Sequence, residues 1–228
     1  MPAPQEYRFI RMMFRDRYDA GETLAERLRE FAGRPDVVVL ALPRGGVPVA
    51  YVVARELAVP LDVFVVRKLG TPGQPELAMG AIAPGGVRVL NRDVVDSLAI
   101  PDWAIEQVTR QEEEELQRRE RQYRGNRPPL EVRGKTAILV DDGLATGSTM
   151  RAAAAALRQA GAAGIVVAVP VASRATCDQL REEGNLVVCA TTPEPFFAVG
   201  QWYKDFDQTS DEEVRDLLDR AVVSGGSQ

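Results

Sequence analysis

The spacing of short apolar runs constrains the fold of this chain more than any other feature. Five runs rich in Val, Ile and Leu are separated by longer segments, and they lie at residues 37–42, 61–66, 136–142, 164–171 and 186–190. Continuous apolar runs of this length are typical of parallel strands whose two faces are both covered by helices. The pattern predicts a doubly wound α/β fold around a mainly parallel five-stranded sheet.

Several of the intervening segments have the features of helices. At 19–32, Asp19 and Glu22 fit a D-x-x-E capping box, and apolar residues follow at three- and four-residue steps. Helices are also predicted over three further segments, which are 47–58, 148–160 and 174–183. The helix that follows the first run joins two parallel strands, so we expect a right-handed βαβ crossover.

Two stretches interrupt this alternation. Residues 69–90 are rich in turn-forming residues, and Ala-Pro-Gly-Gly at 83–86 separates two short apolar stretches, which predicts a flexible hairpin loop beside the sheet. Residues 102–124 predict a highly charged helix with Trp103 and Val108 as its apolar anchors, stabilised by pairs of opposite charge.

Composition excludes several classes of function. The chain has 228 residues with 33 acidic and 28 basic side chains, so no overall basic charge favours nucleic acid as a partner. The sequence contains no histidine, which removes catalytic triads that need imidazole. No run reaches membrane-spanning length and the start lacks the features of a secretory signal, so we expect a cytoplasmic protein without a membrane partner. Cys177 and Cys189 are expected to be reduced, buried thiols.

Residues with ligand-binding chemistry stand at the end of the third run and directly after it. Asp141 and Asp142 stand at the carboxyl edge of the predicted sheet, where they repel one another and favour a partner such as a sugar diol. The next residues, 145–149, offer backbone N–H groups and three hydroxyls at the start of a helix, which favours an anion by roughly 0.3–1 kcal/mol. Neither a Walker A lysine nor a G-x-G-x-x-G pattern is present here, so the arrangement predicts a ribose 5-phosphate site.

The segment AILVDDGLATGST closely resembles the motif that binds 5-phosphoribosyl-1-pyrophosphate (PRPP) in type I phosphoribosyltransferases. Gly143 departs from the family pattern, which usually has an aliphatic residue there. The resemblance implies the type I phosphoribosyltransferase fold and assigns the ribose and the 5-phosphate to Asp141, Asp142, Gly143, Leu144, Ala145, Thr146, Gly147, Ser148 and Thr149.

The same resemblance implies a pyrophosphate site and a catalytic loop. The loop after the first strand, with Arg44, Gly45 and Gly46, stands where the family binds pyrophosphate. Arg67 and Lys68 resemble the pair that precedes the flexible catalytic loop. The reaction builds charge on the departing pyrophosphate, so these cations and Mg²⁺, bound mainly through PRPP, would stabilise it. No residue is assigned with certainty as a metal ligand. Glu76 is either an assistant to the incoming base or an exposed loop acid.

The base itself cannot be named from the sequence. Ala145 replaces the acid that serves the purine ring in hypoxanthine and guanine enzymes, and the rest of the chain does not follow adenine phosphoribosyltransferase. The whole chain is similar to a bacterial group of predicted phosphoribosyltransferases of unknown base. Trp202 and Tyr203 are candidates for a base-binding platform, although simple packing of this segment on the core is the alternative.

These observations predict one domain over 1–228, with a core at about 33–192, a helical insertion at about 91–125 and a tail at 193–228. In the family, the terminal segments form a hood over the site, and homodimers are common. The expected function is transfer of ribose 5-phosphate between pyrophosphate and a nitrogenous base. The alternative is a PRPP- or nucleotide-sensing regulator with little turnover, in which the Arg-rich stretches 8–17 or 118–127 contact RNA or a protein.

Overall fold

The structure is a computed structural model that describes residues 13–225, with side chains described up to residue 221. The strands of the described part are β1 (Val37–Ala41), β2 (Leu61–Val63), β3 (Arg67–Thr71), β4 (Gln74–Ala83), β5 (Val87–Leu90), β6 (Thr136–Val140), β7 (Gly164–Val171) and β8 (Leu186–Thr191). Its α-helices are α1 (Arg17–Arg27), α2 (Gly46–Leu57), α3 (Arg92–Ser97), α4 (Asp102–Arg124), α5 (Ser148–Gln159), α6 (Arg174–Glu182) and α7 (Asp211–Gly225).

Five strands form the parallel sheet that the sequence predicted. Their order is β2-β1-β6-β7-β8, and every neighbouring pair is parallel. In the centre, β1 and β6 are in register from Val37 opposite Thr136 to Ala41 opposite Val140. The carboxyl ends of these two strands therefore lie side by side, and the loops that follow them leave the sheet at the same point.

Both faces of this sheet are covered, which explains why its strands are continuously apolar. All five residues of β1 are buried. Val39 and Ala41 pack into a cluster with residues of α1, α2 and α7, whereas Val38 and Leu40 pack into a second cluster with residues of α5 and α6. Successive side chains of a strand point to opposite faces, so one short strand contributes to two cores.

The predicted hairpin loop is more regular than the sequence indicated. Residues 67–90 form a separate antiparallel sheet in the order β3-β4-β5, which packs on α5. Leu69 and Met79 are fully buried at the base of the first hairpin, whereas residues 72–77 are exposed at its tip. The two buried side chains stand on opposite strands of one hairpin, so its base is anchored in the core and its tip is exposed.

The charged helix is confirmed with the predicted bounds, but one of its anchors was wrong. Trp103 is 69% exposed, whereas Ile105, Leu116 and Tyr123 are buried. The buried residues follow helical steps along one stripe, and Trp103 lies outside this stripe. Val108 is partly buried against the core, as predicted.

The capping box predicted at the start of α1 was wrong. Asp16, and not Asp19, is the N-cap, and its carboxylate accepts a hydrogen bond from the backbone N–H of Asp19. The helix is also shorter than predicted, because it ends at Arg27 and a 3₁₀ turn follows at Arg29–Phe31.

Helix α7 was not predicted by the sequence analysis. It packs on α2, α4 and β2, and it buries Val214, Leu217 and Leu218. The segment that precedes α7 pairs with the beginning of the described chain. Phe14 forms an isolated parallel bridge with Tyr203, and the backbone N–H of Phe14 donates to the carbonyl of Trp202. We call residues 14–17 and 202–207 the terminal clasp.

The prediction of two reduced thiols was wrong in this structure. Cys177 of α6 and Cys189 of β8 are joined by a disulfide. The twelve positions that separate them run from within α6, through the turn that follows it, to within β8. Because α6 packs on β8, residues at this spacing meet between the helix and the sheet.

Candidate functional site

Two loops meet at the carboxyl edge of the central strands. The backbone N–H of Leu42, directly after β1, donates to the carbonyl of Val140 at the end of β6 over 2.9 Å. A β-carbon on Gly45 would overlap the carboxylate of Asp142, and one on Gly46 would lie 2.6 Å from the Val140 carbonyl. The two glycines are thus required for the approach of the predicted pyrophosphate loop to the acidic pair.

Asp141 and Asp142 influence each other directly. The backbone N–H of Asp142 donates to the Asp141 carboxylate over 2.9 Å. Burial, followed by the negative charge of Asp142, raises the pKa of Asp141 well above its ordinary value. Burial also raises the pKa of Asp142, and Arg17 opposes that increase. Both carboxylates are therefore disfavoured as free anions, so a ligand that donates hydrogen bonds to them would be stabilising.

Arg17 is a residue of this site that the sequence analysis missed as a ligand of the acidic pair. Its Nε and Nη2 both lie 2.9 Å from Oδ2 of Asp142, and Nη1 donates to the carbonyl of Asp207 over 2.7 Å. The guanidinium carbon lies 4.0 Å from the ring centroid of Phe206. No local pattern could have indicated this pairing, because the two partners are separated by 125 positions.

A second residue of the terminal clasp also contacts the pair. The hydroxyl of Tyr203 donates to the backbone carbonyl of Asp142 over 2.6 Å. Burial raises the pKa of this hydroxyl, so it stays a neutral donor. The Tyr203 ring packs between Phe14, at 5.5 Å, and Phe206, at 4.9 Å, between ring centroids.

The predicted phosphate loop opens α5 as expected. Gly147 precedes the helix with φ +68°, and no described side chain caps the helix. Ala145, Thr146, Ser148 and Thr149 are exposed, so their backbone and hydroxyl groups are accessible. From below, Thr176 Oγ1 donates to the carbonyl of Ala145 over 2.7 Å and fixes the loop. The uncapped N–H groups of this twelve-residue helix favour an anion.

Gly143, the one departure from the family pattern, has a local explanation. A β-carbon there would lie 2.5 Å from Cγ1 of Val199 and 3.0 Å from Cγ1 of Val171. The segment after β8 thus packs against the backbone at this position, where a larger side chain has no room. Leu144 is buried, and its N–H donates to the Val171 carbonyl over 2.9 Å.

The predicted pyrophosphate-binding cations each have an acidic partner within the chain. Arg44 lies 3.8 Å from Asp211 at the start of α7, and Arg67 lies 2.6 Å from Glu112 of α4. Lys68 lies 3.2 Å from Glu76 across the β3–β4 hairpin. Among the described residues, no hydrogen bond or ion pair joins Arg67, Lys68 or Glu76 to the acidic pair. These three residues lie on the second sheet.

The aromatic side chains of the C-terminal segment differ in their exposure. Trp202 is 7% and Tyr203 is 4% exposed, so each ring has little free surface on which a base could stack. Phe197, two positions before the valine that packs on Gly143, is 74% exposed. Phe197 was not among the candidates selected from the sequence, because burial, which decides which ring is accessible, cannot be read from the sequence alone.

The described residues contain no cluster of three or more Cys, Asp or Glu side chains that could hold a metal ion. Mg²⁺ is commonly bound through substrate phosphates and water with few protein ligands. None of the described helices is long and apolar enough to cross a bilayer.

Comparison with known proteins agrees with this arrangement. The family model for the phosphoribosyl transferase domain matches residues 15–202. A protein of Mycobacterium tuberculosis H37Rv, provisionally named a phosphoribosyl transferase, is 51% identical over 209 residues, which cover 92% of this chain and 47% of that protein. This chain thus spans about half the length of that curated relative. The crystal structure of TT1426 from Thermus thermophilus has a TM-score of 0.83 and 43% identity, covering 91% of this chain and 98% of that one.

Proposed function

The chain belongs to the phosphoribosyl transferase domain family, and from this membership we propose that it binds PRPP and transfers ribose 5-phosphate between pyrophosphate and a nitrogenous base. The observation that carries the proposal is the meeting of three elements at one edge of the sheet. These elements are the glycine loop at 45–46, the partly buried acidic pair, and the uncapped helix start at 148.

In this proposal, the acidic pair binds the ribose and the following loop binds its 5-phosphate. The hydroxyls at C2 and C3 of the ribose donate hydrogen bonds to Asp141 and Asp142, whose carboxylates are partly buried. Within the chain, Asp141 accepts from the backbone N–H of Asp142, and only Oδ2 of Asp142 is bound by Arg17. The 5-phosphate then lies against the N–H groups of residues 145–149, at the positive end of α5. Exposure of Thr146 and Ser148 is consistent with this placement.

The pyrophosphate is assigned to the loop after β1. The absence of β-carbons at Gly45 and Gly46 lets this loop lie directly against the acidic pair, and Arg44 supplies positive charge beside it. Mg²⁺, bound mainly through PRPP, would neutralise part of the diphosphate charge. Arg67 and Lys68 would join the site when the second sheet moves, exchanging their acidic partners for the departing diphosphate.

The base is assigned to the side of the site that carries Phe197. The exposed ring of Phe197 offers a stacking surface, and the packing of Val199 on Gly143 keeps this segment beside the ribose-binding pair. Trp202 and Tyr203 were proposed for this role from the sequence. In the structure both rings are buried in the core, and the Tyr203 hydroxyl donates to the backbone carbonyl of Asp142, so we propose that Tyr203 supports the site from below. Glu76, whose side chain is 97% exposed, is free to approach an incoming base.

The regulator remains the second candidate function, because the catalytic cations are neutralised within the chain in this structure. Its proposed nucleic-acid contacts gain little support. In the stretch 118–127, four arginines form ion pairs with acids of this chain; they are Arg118, Arg119, Arg124 and Arg127. Arg17 is bound to Asp142, and residues 8–12 lie outside the described residues.

One experiment separates the two functions. Purified protein is incubated with PRPP, Mg²⁺ and each of a panel of free purine and pyrimidine bases, and pyrophosphate release is followed. Turnover with one base supports the transferase. Tight PRPP binding without turnover on any base supports the regulator. Absence of PRPP binding contradicts both the transferase and a regulator that senses PRPP, and leaves only a regulator that senses another nucleotide. The extent of a single domain over 1–228, a cytoplasmic location and a homodimer stay predictions; packing of α7 on α2 supports the first of these.

A further inference from the structure

We propose that Arg17 is a positioning residue of the PRPP site, which binds one oxygen of Asp142 so that the other is presented to the ribose. The inference rests on the proposed function and deepens it. Two nitrogens of Arg17 bind the same atom, Oδ2, at 2.9 Å each. The contact therefore leaves Oδ1 of Asp142 without a bond to this guanidinium, and the carboxylate stays available on one side.

The environment of Arg17 fixes its orientation. Its side chain is 11% exposed, and the side chain of Asp142 is 15% exposed. The guanidinium is held from two further directions, by the carbonyl of Asp207 at 2.7 Å and by the ring of Phe206 at 4.0 Å from its centroid. A planar guanidinium satisfied on three sides is a rigid partner, which a flexible lysine ammonium does not reproduce.

The charge of Arg17 is also required by the site. Within the described part of the chain, Asp141, Arg17 and Tyr203 are the titratable groups that interact with Asp142. An ionised Asp141 would repel the charge of Asp142 and Tyr203 stays neutral, so Arg17 is the group of this set that favours the ionised form of Asp142. An ionised Asp142 accepts hydrogen bonds from both ribose hydroxyls, whereas a protonated carboxyl would have to donate one of its own.

The position of Arg17 links the site to the terminal clasp. Arg17 begins α1, and the chain just before it pairs with residues 202–205 through Phe14 and Arg15. One side chain thus connects the two terminal segments to the carboxylate that contacts the ligand. We therefore expect the terminal clasp to form together with the orientation of the Asp142 carboxylate that binds PRPP.

The test measures PRPP affinity by calorimetry in the presence of Mg²⁺ for the wild type, Arg17→Ala, Arg17→Lys and Arg17→Gln. Loss of a buried charge partner should weaken PRPP binding by at least about tenfold in Arg17→Ala. Arg17→Lys should recover part of the affinity, because it keeps the charge. Arg17→Gln should become more sensitive to acid, with affinity starting to fall at a higher pH than in the wild type as the pH is lowered, because the positive charge that opposes the raised pKa of Asp142 is lost. Arg34→Ala is the matched control, since the Arg34 side chain is 42% exposed, pairs with Asp36 and lies outside the terminal clasp.

A double-mutant cycle keeps the proposal testable where Arg17→Ala alone does not fold. In an Asp142→Asn background there is no carboxylate for Arg17 to position, so Arg17→Ala should cause little further loss of affinity. An equal loss in both backgrounds, or wild-type affinity in Arg17→Ala, would overturn the positioning role. If the wild type itself does not bind PRPP, the proposed function fails; if it binds and Arg17 has no effect, only this inference fails.

Discussion

Gly45 lies so close to Asp142 that a β-carbon on Gly45 would overlap the carboxylate oxygen Oδ2. The same oxygen accepts both hydrogen bonds from Arg17. Three segments distant in sequence, which are the loop after β1, the loop after β6 and the start of α1, therefore converge on one atom. This convergence makes the site sensitive to very small changes in volume.

Gly45→Ala is the first test of this convergence. The added methyl group must displace the Asp142 carboxylate, so we expect a loss of stability of about 1–3 kcal/mol and a large loss of PRPP affinity. Gly164→Ala is the matched control, because a β-carbon there would meet its nearest atom at an ordinary 3.4 Å. Thermal unfolding and calorimetric PRPP titration measure the two effects. Normal PRPP binding by the Gly45→Ala variant would show that the two loops move independently.

The raised pKa of Asp141 predicts a pH dependence with a definite sign. Burial and Asp142 raise the pKa of Asp141 in the free protein, so the folded state holds a proton that the unfolded state has lost above the ordinary carboxyl pKa. Stability of the free protein should therefore decrease as pH rises from the ordinary pKa through the raised value. Denaturant unfolding across this range measures the slope, and Asp141→Asn should reduce it. A slope unchanged in Asp141→Asn would assign it to another group.

The same protonation predicts that ligand binding releases protons. Ribose hydroxyls donate to the carboxylates and favour their ionised form, so PRPP affinity should rise with pH through the raised pKa and then become constant. Calorimetric titrations in two buffers of different ionisation enthalpy count the protons released. Proton uptake on binding would contradict the assignment of the ribose to this pair.

Glu112→Gln tests whether acidic side chains hold the catalytic cations in the absence of ligand. Glu112 lies 2.6 Å from Arg67, and its removal leaves this cation free for a diphosphate. We expect inorganic pyrophosphate to bind several-fold more tightly to the variant, with little change in fold, since the pair is partly exposed. Glu106→Gln is the control, because Glu106 lies on the same helix as Glu112 but pairs with Arg88. Equal pyrophosphate affinity in the wild type and Glu112→Gln would exclude Arg67 from the diphosphate site.

Phe197→Ala tests the assignment of the base. Loss of a stacking surface of this kind costs about 0.5–1.5 kcal/mol, so the KM for the base should rise about threefold to tenfold while PRPP affinity stays constant. Trp103→Ala is the matched control, because Trp103 is a similarly exposed aromatic residue on α4. A parallel loss of PRPP affinity in Phe197→Ala would place this ring on the ribose or remove it from the base site.

Much of the fold was predictable because it depends on local pattern. The five parallel strands follow from continuous apolar runs, and α4 was predicted with its observed limits from the charged stretch between Pro101 and Gly125. The errors arise where packing decides the outcome. Trp103 and Ile105 are both large apolar residues at the start of α4, but only Ile105 is buried in the core. The hairpin anchors Leu69 and Met79 depend on contact with α5 and α4, which no local window contains.

The candidate site was predictable to a similar degree. The acidic pair and the phosphate loop are contiguous in sequence, so their chemistry could be inferred together. Arg17 and Tyr203 reach the pair from 125 and 61 positions away, and only the folded chain brings them to Asp142. The pairing of Arg44 with Asp211 of α7 likewise could not be inferred from the sequence of the loop after β1.

The central claim is that the acidic pair binds the ribose of PRPP. Calorimetric titration of PRPP with Mg²⁺ into the wild type and into Asp141→Asn with Asp142→Asn tests it most directly. Neutral amides keep the shape of the site but lose the charge that favours the ribose hydroxyls, so affinity should fall by at least about a hundredfold while the double variant remains folded. A folded double variant that binds PRPP as tightly as the wild type would contradict the account.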